Sequence, residues 1–369
     1  MKKVGLLTFH FADNIGALLS TYALQSVLQK IGMTVSVINF IPPMMLEYST
    51  FLPSFYRVKY ECKSYFDTFR AYFKHIASHT IDLNGILKKH KKCEEFRQRY
   101  LNITEILIRD LGNLKKACES FDACIVGGDQ VWNPRFLELS NFGYLLPFKL
   151  KNALKIAYAA SIAEKIPQNQ LNIFRECVHH FSAVSVRERS SSSELTKLLG
   201  REIYHVLDPT LLMEKSDYAN IIKEPAMRFP SRYILTYNVG KYLNNPIFSV
   251  AKKMSNKIGI PVVTIGFSMK NHCYVGPSEF LWLLENAEYV ITNSYHGMLL
   301  SIVFQKRFIV VPPSLGSLRV IDFIEEFNLR ENNTKIIDYK KLCKFLSESK
   351  AFSINFLRKA LEQDNYQIK

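Results

Sequence analysis

The start of the chain alternates two apolar runs with a helical pattern. The run VGLLTF (4–9) is typical of a buried strand, residues 17–30 carry apolar side chains at helical spacing, and TVSVINF (34–40) predicts a second strand. Gly32 follows the helical stretch, where a left-handed cap favours glycine. Strand, helix and strand over so few residues indicate a right-handed βαβ unit on a parallel sheet.

The same alternation continues along the chain. FDACIVGG, KIAYAASIA and AVSVRERSSSSELTKLLG extend a first α/β unit to about residue 200. HVLDPTLLM (205–213) then predicts a crossing into a second unit, in which RYILTYNVG, PVVTIGF, AEYVITNS and KRFIVVPP are strands and NPIFSVAKKMSNKIG contains a helix. Because 369 residues exceed one ordinary core, we expect two doubly wound domains with a cleft between them.

The predicted domains span 1–203 and 204–345, and 346–369 is expected to form a helix that packs back on the first domain. Residues 42–101 lack strand signals and mix aromatic with basic residues, so they predict a helical insertion in the first domain. The basic stretch KKHKKCEEFRQRY suits an ordinary helical flap with solvated lysines. The alternative is a peripheral contact with the inner face of the plasma membrane.

The composition indicates a globular protein that binds an anion. Lys and Arg total 48 against 33 Asp and Glu, so nucleic acid, a phosphorylated small molecule or an anionic membrane would each suit the charge. The seven cysteines follow no regular spacing and lack a CxxC pair, which predicts reduced thiols and a cytoplasmic location. No window of about 18 uncharged apolar residues predicts a membrane span.

Four loops lie where parallel sheets bind ligands, after the carboxyl ends of strands. They cover 8–16, 127–133, 187–193 and 292–297. In the last loop, Asn293 and Ser294 are good helix caps, and His296 and Gly297 fall in the first helical turn. The amides of this turn favour a phosphate or carboxylate beside the imidazole, which suits a proton donor or acceptor. The alternative is a histidine that is hydrogen-bonded at the start of a buried helix.

Arginines and a tryptophan mark two further candidate regions. Arg187 and Arg189 follow a strand, so their guanidinium groups could point into the cleft, although Glu188 could simply pair with one of them. Arg319 is a third candidate cation. The loop GGDQVWNP offers Asp129, Gln130, Trp132 and Asn133 as a set that suits a sugar ring, while a tight turn with the tryptophan in the core is the alternative.

Several common sites have no sequence support. FADNIGA lacks the GxGxxG spacing of dinucleotide sites, and no phosphate-binding loop of the form GxxxxGK[ST] occurs. The pair His179 and His180 lacks the partners of a metal site and is expected on a helix surface. Neither a metal nor a cofactor is therefore predicted.

An ordered set of motifs resembles the polysaccharide pyruvyl transferase family. The segments are LLTFHFADNIGALLSTYALQSVLQKIG, VGGDQVWNP, YAASIA, SVRERSS, VLDPTLL, YVITNSYHGMLLSIVFQKRFIVV and SLRVIDFI. The resemblance implies two Rossmann-like domains in a glycosyltransferase B-like arrangement. It also implies transfer of pyruvate from phosphoenolpyruvate to a sugar diol of a surface polysaccharide or its lipid-linked precursor, which gives a cyclic ketal.

The resemblance also implies roles for individual residues. His296 matches the histidine of the family's S-[FY]-H-G element and is expected to be the general acid or base, and Arg187 matches the arginine of V-R-E, which would hold the donor. Some members carry an arginine at the position of Ser294, so either another cation, such as Arg319 or Arg189, replaces it here, or the donor differs. The expected donor-binding residues are Arg187, Arg189, Asn293, Ser294, Gly297 and Arg319. The expected acceptor-binding residues, on the first domain, are His10, Asn14, Asp129, Gln130, Trp132 and Asn133.

Two other functions fit parts of the pattern. A glycosyltransferase that uses a nucleotide sugar would place a diphosphate at the same helix end. A non-catalytic binder of an anionic polymer would use the positive charge, but no nucleic-acid-binding signature accompanies the dispersed lysines.

Overall fold

The computed structural model describes residues 1–48, 83–239, 246–265, 272–311, 318–327 and 339–362, which form two parallel sheets. The first sheet has the order β2-β1-β3-β4-β5-β6 and the second has the order β11-β10-β7-β8-β9. The strands of the first sheet are β1 (Lys3–Leu7), β2 (Thr34–Val37), β3 (Ala123–Gly127), β4 (Leu154–Tyr158), β5 (Ala183–Val186) and β6 (Tyr204–His205). Those of the second are β7 (Ile234–Tyr237), β8 (Val262–Ile265), β9 (His272–Cys273), β10 (Tyr289–Thr292) and β11 (Arg307–Val310). The predicted α/β class is confirmed.

Helices flank both sheets. In the first half they are α1 (Ile15–Lys30), α2 (Leu83–Tyr100), α3 (Leu111–Cys118), α4 (Pro134–Leu139), α5 (Leu171–His179) and α6 (Arg189–Leu199). The short α7 (Pro209–Leu212) begins the connection to the second sheet. The remaining helices are α8 (Pro246–Ile258), α9 (Pro277–Asn286), α10 (Tyr295–Val303), α11 (Leu318–Glu326) and α12 (Tyr339–Glu362).

Each sheet has a point where the chain changes the direction in which it adds strands. In the first sheet this switch point lies between β1 and β3, and in the second it lies between β7 and β10. Ligands of open α/β sheets bind at the carboxyl ends of the strands beside such points, because the outgoing loops diverge there. The loops after these four strands are therefore where this geometry favours a binding site.

One hydrophobic core joins the two halves. It combines apolar side chains of α1, the helix that follows the first strand of the first sheet, with those of α7, α9 and α10. A second core fills the opposite face of the first sheet, and a third packs α8 on the second sheet. Burial of this continuous apolar surface stabilises the relative position of α1 and α10, the two helices that begin at the switch points.

The described end of the predicted insertion is the long helix α2, whereas residues 49–82 lie outside the described residues. Two basic residues of α2 make internal contacts. The buried Arg97 donates to the carbonyls of His10 and Phe11 and pairs with Asp13 at 2.6 Å. Lys92 Nζ lies 2.6 Å from Glu279 Oε2 of α9. The interpretation of this stretch as a helix with solvated basic side chains is therefore wrong at these two positions. Arg97 holds the loop after β1, and Lys92 contacts a helix of the second half.

The last helix lies against the first half of the molecule. Ser353 Oγ accepts a hydrogen bond from the Leu207 amide at 3.0 Å, and the Phe356 ring lies 5.4 Å from that of Tyr204. Among the helices that the structure describes, none is both long and apolar enough to cross a bilayer.

Candidate functional site

The loop between β10 and α10 positions His296. Ser294 is the N-cap of α10, and its Oγ accepts from the Gly297 amide at 3.3 Å, while Thr292 Oγ1 accepts from the Ser294 amide at 3.0 Å. A Cβ on Gly297 would lie 2.5 Å from Thr292 Oγ1, so this tight turn requires glycine. The predicted cap and the predicted place of His296 in the first helical turn are confirmed.

Asn293 ties the two switch-point loops of the second sheet together. Its Oδ1 accepts from the Val239 amide at 2.7 Å, and its Nδ2 donates to Asn238 Oδ1 at 2.9 Å and to the Val239 carbonyl at 3.1 Å. These bonds engage both the oxygen and the nitrogen of the Asn293 side-chain amide. Asn293 and Ser294 thus help to position His296, and their role as donor ligands stays a prediction.

The imidazole of His296 lies against the first half of the molecule. A Cβ placed on Gly16 would lie 2.5 Å from its Nδ1 atom, so the ring rests directly on the backbone of the first turn of α1. Its Nε2 atom lies 3.6 Å from Asp208 Oδ2, and only 7% of the side chain is exposed. Tyr237, at the end of β7, brings its hydroxyl within hydrogen-bonding reach of Ser294 and of the Gly16 backbone.

Asp208 connects His296 with Arg187. Its carboxylate caps α7 by accepting from the amide and hydroxyl of Thr210 at 3.0 and 2.8 Å, and its Oδ2 accepts from Arg187 Nη1 at 2.8 Å. Burial raises the pKa of this carboxyl, but the neighbouring His296, Arg187 and Thr210 lower it more, so the pKa lies well below its usual range. Asp208 is thus a buried carboxylate with an imidazole and a guanidinium on the same oxygen.

Arg187 is enclosed by acidic and aromatic groups. Its Nη2 lies 3.6 Å from Asp129 Oδ1, its Nε lies 3.4 Å from Glu188 Oε1, and its Cζ lies 4.6 Å from the centre of the Tyr295 ring. Burial lowers the pKa of the guanidinium, but these neighbours and Asp208 raise it further, so the group stays charged. Because no part of the side chain is exposed, the expectation that Arg187 points into an open cleft is wrong.

Glu188 forms the wall of the cluster on the side of α6. It is buried, and its Oε1 accepts a hydrogen bond from Ser161 Oγ. Together, Asp129, Glu188 and Asp208 place three carboxylates around one guanidinium. This arrangement repels an anion that would lie directly against the carboxylates.

The structure changes the interpretation of the predicted sugar-binding loop. Trp132 is fully buried, packs edge-on against Phe174 and Phe181, and donates through Nε1 to the Tyr144 carbonyl at 3.0 Å. Its ring has no free face, so the prediction that it stacks on a sugar is wrong. Asn133 caps α4 by accepting from the Arg135 amide at 3.0 Å and also donates to Gln130 Oε1 at 3.1 Å.

The two acceptor candidates after β1 are also engaged internally. His10 contacts the Thr8 carbonyl through Nδ1 and Asn39 Oδ1 through Nε2, each at 3.2 Å, and burial lowers its pKa to about 4. Asn14 caps α1 by accepting from the amides of Gly16 and Ala17 at 2.9 and 3.3 Å. The prediction that His10 binds the acceptor is therefore corrected to a structural role, because this side chain is buried. Asn14 is exposed and uses only its oxygen as a cap, so its contact with the acceptor stays a prediction.

The two other predicted cations are Arg189 and Arg319. Arg189 is the first residue of α6 and is exposed, while the side chain of Arg319 lies outside the described part of α11. The functional residues that sequence reasoning missed are Asp208, Gly16 and Tyr237. Asp208 stands before a proline in LDPT, a helix-start signal that marks a cap, but its contact with two distant charged residues has no local signature.

The chain matches the profile of the polysaccharide pyruvyl transferase family over residues 14–314. It belongs to this family. A search of curated proteins finds no match. Among solved structures, the chain is similar to a protein assigned as a UDP-N-acetylglucosamine 2-epimerase from Listeria monocytogenes, with a TM-score of 0.53, 10% identity and complete coverage of both chains.

The comparison also finds two further structures. One is described as a UDP-N-acetylglucosamine 2-epimerase, with a TM-score of 0.50 and 8% identity over 100% of this chain and 98% of the other. The other is a spinosyn rhamnosyltransferase, with a TM-score of 0.43 and 10% identity over 98% and 100% of the two chains. The two parallel sheets and the similarity to the two epimerase structures show that this family member has a two-domain α/β fold of the glycosyltransferase B-like type.

Proposed function

We propose that the protein transfers pyruvate from phosphoenolpyruvate to two hydroxyl groups of a sugar in a surface polysaccharide or its lipid-linked precursor. Family membership supports the reaction class. The observation that carries the proposal is the convergence of His296 and Arg187 on one oxygen of Asp208, beside the switch points of both sheets. Such a buried group of an imidazole and an oriented carboxylate suits repeated proton exchange.

The reaction needs proton movements at carbon and at oxygen. A proton adds to the methylene carbon of the enol, which makes the central carbon electrophilic, and one sugar hydroxyl adds there with loss of its proton. The C–O bond to phosphate then breaks, and the second hydroxyl adds and loses its proton to close the ketal. His296 exchanges these protons, Asp208 stabilises the imidazolium, and Arg187 positions Asp208.

The donor phosphate belongs at the amino end of α10. Amides in the first turn of a helix have no intrahelical acceptor, and the helix dipole adds positive character there. An anion at this end would lie beside the His296 ring, whose Nε2 atom faces Asp208 at 3.6 Å, so the imidazole would stand between the anion and this carboxylate. The helix end then stabilises the phosphate as its charge develops on departure.

Product analysis tests the reaction directly. Incubation with phosphoenolpyruvate and a panel of lipid-linked and aryl glycosides should give a product heavier by pyruvate minus water, together with phosphate. His296→Ala should fold normally and lose at least about 10² in rate, because acid–base catalysis by one side chain typically contributes about 10² to 10⁴. Turnover by the purified variant at the wild-type rate would defeat the assignment of His296.

A ligand titration separates the proposal from a glycosyltransferase that uses a nucleotide sugar. Thermal unfolding should shift upward with phosphoenolpyruvate and stay unchanged with uridine or guanosine sugar nucleotides, because only a ligand of the folded state stabilises it. The reverse pattern would identify the nucleotide-sugar enzyme instead. Tight, salt-sensitive binding of DNA by a protein inert towards phosphoenolpyruvate would indicate a polymer-binding protein.

A further inference from the structure

A cavity of about 200 Å³ lies between the loop after β4 and the first turns of α6. Ile162, Ile166 and Leu195 give it an apolar wall, and Glu188, Ser190 and Ser191 line its polar side. It opens at the carboxyl ends of β4 and β5, which is the edge where α/β sheets bind ligands. None of the residues predicted to bind the acceptor lines this cavity.

Glu188, which lines this cavity, has one carboxylate oxygen without a partner among the described residues. The residue is 2% exposed, and its Oε2 has no hydrogen-bond partner within the part of the chain that the structure describes. A buried carboxylate oxygen without a donor is unfavourable, since its lost hydration is not replaced. A ligand hydroxyl in the cavity would supply the missing donor.

The charges around the cavity select against an anion. Glu164, Glu188 and Glu194 contribute three carboxylates against one ammonium group, that of Lys165. The amino end of α6, which could attract an anion, is already occupied by Asp322, whose Oδ2 accepts from the amide and hydroxyl of Ser190 at 3.1 and 2.6 Å. A neutral ligand rich in hydroxyl groups therefore fits better than phosphoenolpyruvate.

The rim of the cavity is held in an uncommon backbone conformation. Ala163 has a φ of 60°, in the left-handed region that non-glycine residues rarely adopt, and the Glu164 amide donates to the Ile162 carbonyl at 2.7 Å. Strained non-glycine residues cluster at ligand sites because the surrounding structure must impose them. The turn fixes Ile162 and Ile166 against α6.

We infer that this cavity binds one neutral sugar ring, with a ring hydroxyl donating to Glu188 Oε2 and an apolar ring face on Ile162 and Leu195. Typical sites for drug-sized ligands measure about 300–1,000 Å³, so about 200 Å³ suits a single ring, and the open side of the cavity leaves room for the rest of a glycan outside it. Identifying this ring as the acceptor rests on the proposed function. Glu188 Oε1 lies 3.4 Å from Arg187 Nε, so the cavity adjoins the cluster of Asp208 and His296.

A matched pair of variants on α6 tests the cavity. Ser191 lines it, whereas Ser193 is exposed on the opposite side of the same helix. The binding of 4-nitrophenyl hexopyranosides is followed by ligand-observed NMR without phosphoenolpyruvate. Ser191→Trp should weaken the binding at least about tenfold by filling the cavity, and Glu188→Gln should weaken it about threefold to tenfold by removing the charged acceptor. Ser193→Trp should bind like the wild type, and thermal unfolding of each variant checks its fold.

The outcomes separate this inference from the proposed function. Unchanged glycoside binding in folded Ser191→Trp, or competition by inorganic phosphate for the bound glycoside, would overturn the inference even if pyruvyl transfer is observed. Loss of glycoside binding in Ser191→Trp but not in Ser193→Trp supports it. If that pattern appears and phosphoenolpyruvate still gives no ketal with any bound glycoside, the sugar site stands and the proposed reaction fails.

Discussion

The contact between Gly16 and His296 gives a test that leaves every chemical group of the site in place. A Cβ at position 16 would lie 2.5 Å from Nδ1 and 2.8 Å from Cγ of His296. Non-bonded heavy atoms settle at about 3.5 Å or more, so in Gly16→Ala the imidazole must retreat by about 1 Å. This movement displaces the ring relative to the Asp208 carboxylate, from which Nε2 is now 3.6 Å away.

The expected effect is on rate more than on stability. A displacement of about 1 Å at a catalytic group can cost about 10²-fold in rate. Alanine stabilises a helix by about 0.5–1 kcal/mol relative to glycine, whereas overpacking destabilises by about 1–3 kcal/mol. The net loss of unfolding free energy should therefore stay within about 2.5 kcal/mol.

The assay compares two glycine positions that are equivalent in their helices. Gly16 and Gly112 are each the second residue of a helix, but a Cβ on Gly112 meets only Asp110 Oδ1, at 3.2 Å. Phosphate release from phosphoenolpyruvate with an acceptor glycoside is measured alongside thermal unfolding. Gly112→Ala should keep the wild-type rate. A folded Gly16→Ala enzyme that also keeps it would refute the argument that the α1 backbone positions the imidazole.

The other predictions concern Asp208 and Trp132. Asp208→Asn should lower the unfolding free energy at neutral pH by about 3–5 kcal/mol, because it leaves the buried Arg187 without its closest carboxylate. The pKa of Asp208 is lowered in the folded protein, so its stabilising effect is present above the unfolded pKa of about 3.9 and declines as the pH falls below that value. The unfolding free energies of wild type and variant, measured by urea titration, should therefore converge in acid. A difference that stays constant with pH would contradict this argument. Trp132→Phe should destabilise by about 1–3 kcal/mol through the unpaired Tyr144 carbonyl, with an unchanged KM for the acceptor; a raised KM would restore a sugar-binding role.

The fold could be predicted because it depends on local periodicity. Apolar strand runs alternate with helical patterns from residue 4 onward, and this rhythm alone indicates parallel sheets with crossover helices. The start of α10 could also be predicted from the sequence, because a strand run is followed directly by Thr292, Asn293 and Ser294, which are residue types that cap helices. Local sequence therefore placed His296 at the amino end of a helix.

The partners of His296 could not be found in the same way. Asp208 is 21 residues from Arg187 in the chain, and only the packing of α7 between the two halves brings the three side chains together. The residue types in GGDQVWNP suit a sugar site, yet the direction of the Trp132 ring depends on Phe174 and Phe181, which pack from a different helix and loop. Residue type indicated the chemistry, and tertiary packing decided which side chains were already engaged.

The contact between His296 and Gly16 makes the position of the imidazole depend on how the two halves of the molecule are packed. The imidazole is carried by α10 of the second half, while the glycine beneath it starts α1 of the first. Any shift of α10 relative to α1 would therefore move the imidazole off this glycine and change its distance from the Asp208 carboxylate, which is now 3.6 Å from Nε2. The geometry that the proposed proton exchange needs is thus set by the packing of one half of the molecule on the other.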